Sequence, residues 1–175
     1  MHANVTFANL HDGETYPFDG IQIACCYTYH PGPTLGFKIM INGHNIGYIT
    51  DNEFLVGYHG HPNDVSFDHP LMENHRQLIH FLSDCETIVH EAQYFPKEYE
   101  QRIGWGHSSL SNATAMFRYL PNCRHWIVTH HDPRHNDDEI WLKSELHRQV
   151  LIEAGVDCRL TYAFDGMILP IRFKG

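Results

Sequence analysis

Trp126-Ile127-Val128-Thr129-His130-His131-Asp132-Pro133 decides the fold. An apolar run short enough for a buried strand ends abruptly in two imidazoles and a carboxylate. In α/β proteins, ligands are held just beyond the carboxyl ends of strands, and histidine is the commonest metal ligand. Three other strand ends carry polar chemistry: His30, Asp51 and the pair His90-Glu91. A lone strand-end histidine is more often a hydrogen-bonded structural residue than a ligand. Four such ends in one chain favour a shared site.

Working outward, residues 4–9 alternate like a strand, and His11-Asp12-Gly13-Glu14 reads as a turn. Residues 21–29 form a second strand, broken by His30-Pro31-Gly32-Pro33. Residues 35–41 and 46–50 pair through a turn at Asn42-Gly43-His44-Asn45, a hairpin signal. Residues 57–70 are rich in Gly, Pro and His and read as a loop. Leu71, Leu78, Ile79 and Leu82 recur at helical spacing. Thr87-Ile88-Val89 is a short buried strand. Ser108 or Ser109 caps a helix to about Leu120, with Pro121 beyond it. Asp137 or Asp138 starts a helix to Ala154, ended by Gly155. Residues 157–163 and 167–173 read as a closing strand pair. The order is an antiparallel meander, then β-α alternation, then that pair: one α/β unit over residues 1–175.

The 175 residues include 16 histidines and carry a formal net charge of −9 without any Lys/Arg-rich block. That argues against a large nucleic-acid footprint, which rests on phosphate neutralisation. No apolar stretch suffices to span a membrane, and Met1-His2-Ala3-Asn4 does not open a signal peptide. The five cysteines show no CxxC spacing. They read as reduced thiols of a cytoplasmic protein.

Gly104-Trp105-Gly106-His107-Ser108-Ser109 places glycines before a helix start, where His107 could serve as an acid–base group. The bland alternative is a loop and a helix cap. His59-Gly60-His61-Pro62-Asn63-Asp64 falls short of the metal motif HxHxDH, because Asn63-Asp64 stands where Asp-His is needed. It reads as a solvated loop.

Taken in order, these stretches resemble the metallo-β-lactamase-fold hydrolases, and among them the branch of the tRNA 3′-end nuclease RNase Z and of phosphodiesterases acting on cyclic nucleotides or phosphonate-derived substrates. His30-Pro31 before Gly36-Phe37-Lys38-Ile39 is similar to the third motif of that group, and Tyr48-Ile49-Thr50-Asp51 to the fourth. His90-Glu91-Ala92-Gln93-Tyr94 is similar to its HEAT motif and Gly106-His107-Ser108-Ser109 to its GHST loop. Thr129-His130-His131-Asp132-Pro133 resembles the fifth motif, and Ala163-Phe164-Asp165-Gly166-Met167 the closing strand.

The resemblance implies an αββα sandwich with two metal ions, zinc or alternatively manganese. His30 would bind one ion, His130 the other, and Asp51 would bridge them. A water acidified by the ions would attack phosphorus. Glu91 would orient His107, which would protonate the leaving oxygen. His131, Asp132 and His135 would play supporting roles.

The HxHxDH motif, which lies upstream in that group, has no counterpart before His30. The chain is therefore expected to be the C-terminal part of the fold. Its metal affinity and activity would be weak or absent alone, completed by a missing N-terminal half or a partner subunit. A degenerate, non-catalytic module that binds a ligand or a partner is the alternative. An exposed inner sheet face would favour association, including with a second copy. The acidic balance favours a small phosphodiester substrate over tRNA.

Overall fold

A computed structural model describes residues 6–170. Seven strands form one sheet in chain order: β1 (Thr15–Phe18), β2 (Ile21–Tyr27), β3 (Leu35–Ile41), β4 (His44–Ile49), β5 (Thr87–Glu91), β6 (His125–Thr129) and β7 (Arg159–Tyr162). The first four pair antiparallel and the last four parallel. The helices are α1 (Arg76–Leu82), α2 (Pro96–Tyr99), α3 (Leu110–Phe117) and α4 (Asp137–Glu153), with a 3-10 turn over Pro70–His75 running into α1.

The meander and the β-α alternation follow the sequence reading. Asn42 and Gly43 both have positive φ, 49° and 76°, so the β3–β4 hairpin closes on the tight turn that Asn-Gly favours. Ser109 caps α3 by accepting from Asn112 N, and Gly155 follows α4 at φ 68°. Three elements differ. Residues 6–9 carry no regular structure, and residues 4 and 5 lie outside the described residues. The edge strand is instead β1, whose Pro17 is tolerated because an edge leaves one row of N–H groups unpaired. Of the closing pair only β7 is a strand; residues 167–170 are irregular, and 171–173 lie outside the described residues.

The sheet has two unlike faces because strand side chains alternate. Cys26, Ile49, Ile88, Trp126 and Val128 point to one face and join Leu82, Leu110, Met116 and Leu151 in the core. Phe37, Ile39, Ile46 and Val89 point to the other and remain only half-buried. All five cysteines are free thiols. No helix among the described residues is long and apolar enough to cross a membrane.

Direction explains where the chemistry gathers. β2 and β4 both run antiparallel to β3, and β5 and β6 run parallel to β4. The carboxyl ends of β2, β4, β5 and β6 therefore share one edge of the sheet. His30, Asp51, Glu91 and His130 sit at those four ends.

Candidate metal centre at the strand ends

The five residues singled out by sequence, His30, Asp51, Glu91, His107 and His130, come together. Ligand atoms of His30, Asp51 and His107 all lie within 4.8 Å of one another. His130 Nε2 is 3.5 Å from Asp51 Oδ1. The His107 ring centroid lies 4.8 Å from that of His130 and 5.6 Å from that of His30.

Each side chain is placed by its local backbone. His30 Nδ1 is enclosed by Thr34 Oγ1, Gly32 N and Gly32 O at 3.1, 3.2 and 3.4 Å, which leaves Nε2 facing the site. Thr50 Oγ1 donates to Asp51 Oδ2 (2.5 Å). His130 is held at φ 54°, a strained setting for a residue with a β-carbon. Its carbonyl accepts from Gln93 Nε2 (3.2 Å), which fixes the peptide that aims the ring.

Glu91 is fully buried and lies 3.2 Å from His107 Nδ1. Burial pushes its carboxyl up to about 7, against the pull of His107 and of the Ser108 and Gln93 N–H groups. Four donors converge on it: His107 Nδ1 and the backbone N–H groups of Asn52, Gln93 and Ser108. The three backbone N–H groups can only donate, and they favour the ionised carboxylate. Burial opposes protonation of His107. The Glu91 hydrogen bond and the charges of Glu91, Asp51 and Glu53 outweigh it, and the His107 pKa is raised. Burial lowers that of His130, with Asp51 opposing.

The support shell held the residues that sequence reasoning missed. Buried Glu53 accepts from Tyr99 OH (2.7 Å), Gly104 N (2.8 Å) and Gly106 N (2.8 Å), pinning the loop that carries His107. Asn52 donates from Nδ2 to His90 Nε2 (3.1 Å) and accepts from Tyr29 N (3.1 Å). Only the polar run Thr50-Asp51-Asn52-Glu53 after β4 hinted at either residue.

Other candidates fall away from the cluster. His90 is buried, bonded to Asn52 and to the Glu91 carbonyl. His131 Nε2 donates to Ala163 O and its ring stacks on Tyr162. Arg134 holds the Asp132 carboxyl down at about 2, and His135 pairs with Glu98 at 2.9 Å. His61 Nδ1 accepts from Asn63 N, and its Nε2 lies 3.6 Å from Glu153. In that loop the histidine serves a turn and a surface ion pair.

The donor set fits a divalent cation. Three imidazoles and a carboxylate converge, and the second atoms of His30, Asp51 and His107 are held by neighbours, as is usual for metal ligands.

No protein-family model matches the chain, and no curated protein matches it in sequence. Solved structures do. A metallo-beta-lactamase fold protein, YhfI from Bacillus subtilis, superposes with a TM-score of 0.63 at 13% identity, over 90% of this chain and 52% of its own. Zn(2+)-bound PqqB from Methylobacterium extorquens gives 0.58 at 14% identity, over 93% and 55%. The short form of human tRNase Z gives 0.56 at 15% identity, over 90% and 46%. The chain has the metallo-β-lactamase fold and spans about half the length of these structures.

Proposed function

We propose that the chain is part of a metal-dependent hydrolase acting on phosphodiester-type substrates. The observation that carries this reading is the convergence of His30, Asp51 and His130 at one sheet edge beside the Glu91–His107 pair. When bound there, a divalent cation, zinc by the precedent of PqqB, supplies Lewis acidity and lowers the pKa of water. His30, Asp51 and His130 would hold it.

The chain's own residues supply the rest. Glu91 fixes His107 by Nδ1 and favours its protonated form, so the other ring nitrogen offers a proton to a leaving oxygen. Glu53 holds the Gly104–Gly106 backbone and thereby the position of His107. Gln93 ties the two sides together: its N–H donates to Glu91 and its side chain to the His130 carbonyl. The formal net charge of −9 favours a small phosphodiester over a long nucleic acid.

Matching half the length of its structural neighbours, the chain would hold only part of a two-ion site, the remaining donors coming from further sequence or a partner. One observation favours a second reading, an assembly module without activity: the half-buried apolar face at Phe37, Ile39, Ile46 and Val89. Zinc content and cleavage of bis-p-nitrophenyl phosphate separate the two. Bound zinc with cleavage, in this chain or in a longer protein containing it, supports the hydrolase. A zinc-free chain that stays inert with excess zinc or manganese, in both forms, supports the module.

A further inference from the structure

We infer that, in the 175-residue chain on its own, His107 acts as a metal donor rather than a proton donor. One divalent cation is then held entirely by His30, Asp51, His107 and His130. This rests on the metal-dependent reading above and goes beyond it, because it gives His107 a second role and makes the isolated chain self-sufficient in metal binding.

The geometry points to this in three ways. First, His107 lies inside the donor cluster: its ligand atom and those of His30 and Asp51 lie within 4.8 Å of one another. Asp51 Oδ1 is 3.5 Å from His130 Nε2. Donors at the corners of a tetrahedron with zinc-like bonds lie roughly 3.3 Å apart. The Asp51–His130 edge is already near that value, and the three pairs among His30, Asp51 and His107 need to close by about 1.5 Å at most; His130 joins them through its edge with Asp51.

Second, His107 is dressed as a ligand. Its Nδ1 faces a buried carboxylate, Glu91, at 3.2 Å. A carboxylate behind one imidazole nitrogen orients the ring and makes the other nitrogen more basic, the usual support of a metal-bound histidine. His30 has a neutral counterpart: in the tautomer that leaves Nε2 free to ligate, its Nδ1–H has acceptors in Thr34 Oγ1 (3.1 Å) and Gly32 O (3.4 Å).

Third, space has been cleared for the His30 ring beside the His107 loop. A β-carbon at Gly106 would lie 2.6 Å from His30 Nε2. The residue before His107 is thus one that lets the His30 nitrogen approach the His107 loop.

Four donors close a tetrahedral centre and leave no open position for substrate or water. The nitrogen of His107 that would protonate a leaving group is then engaged. The isolated chain is accordingly a metal-binding but inert species. Further donors from outside it would compete for the cation and release His107 to its acid role.

Zinc-edge X-ray absorption of the zinc-loaded chain tests this without mutation. Three imidazoles per zinc and one zinc per chain are expected; a centre with two imidazoles would overturn the proposal. Titration with zinc, followed by calorimetry, provides the second arm. Glu91→Gln should weaken binding by about 10- to 100-fold, and His107→Ala by more. Wild-type affinity in His107→Ala, alongside loss in Asp51→Ala, would overturn the role of His107 while leaving the metal site standing. A wild-type chain that binds no zinc would bring down both the inference and the metal-dependent reading beneath it.

Discussion

The His30 ring fills the space that a side chain at Gly106 would need. A β-carbon on Gly106 would lie 2.2 Å from His30 Cδ2 and 2.7 Å from Pro31 Cδ, and Gly106 itself sits at φ 92°. The glycine of the His107 loop therefore sets the position of a ring that follows β2, at the far side of β3 and β4. Gly106→Ala should push His30 out of the cluster and lower zinc affinity by about tenfold or more, with a strain cost of about 1–3 kcal/mol. Gly104→Ala is the control. Gly104 has a similar φ of 80° but open space around its β-position. It should be destabilised with little change in affinity. Calorimetric zinc titration and denaturant unfolding of both variants make the comparison.

Glu53 is the anchor of the same loop. Its carboxylate accepts from three donors, Tyr99 OH, Gly104 N and Gly106 N. Glu53→Gln keeps the shape but places an amide N–H₂ where only acceptors fit. A loss of about 2–3 kcal/mol is expected from charged hydrogen bonds of this kind. Amide exchange should accelerate at Gly104 and Gly106 before it does in β5 or β6. Unchanged protection at those two amides would show that Glu53 does not hold the loop.

Stability should fall with acid through buried neutral histidines. Burial lowers the pKa of His75 to about 4, and burial with the charges of Lys143 and His90 lowers that of His147 to about 3. Their unfolded values lie near 6.5, so between about pH 6.5 and 4 the unfolded chain takes up protons that the folded chain refuses. The stability these groups contribute is full above about pH 6.5 and is lost as the pH drops. About 2–3 kcal/mol per histidine is expected at pH 4. Urea unfolding from pH 7.5 to 4 measures the slope. His147→Gln should flatten it even if the variant is less stable at neutral pH, since Thr114 and Tyr162 lose their ring partner.

Much of this was legible in the sequence because strand ends advertise themselves. Trp126-Ile127-Val128 must be buried, so the polar residues that follow must lie at an edge, and the common direction of β2, β4, β5 and β6 makes it one edge. Asn42-Gly43 and Gly155 declared their turns through positive φ. What escaped was non-local. Glu53 looks like any loop carboxylate until the loop 51 residues later folds over it. β1 was hidden by Pro17 and by its exposed, edge-strand side chains. Within His130-His131-Asp132, composition and spacing alone do not show which imidazole turns toward Asp51; the resemblance named His130. The structure gives that role to His130, while His131 turns to Ala163 and Asp132 to Arg134.

The central claim is that the strand ends hold a divalent cation through Asp51. Its most direct test is the zinc retained after equilibration and desalting by the wild-type chain, Asp51→Ala and His61→Ala. About one zinc per wild-type chain, none in Asp51→Ala and an unchanged amount in His61→Ala are predicted. Equal retention by wild type and Asp51→Ala, or equal losses in Asp51→Ala and His61→Ala, would contradict the account.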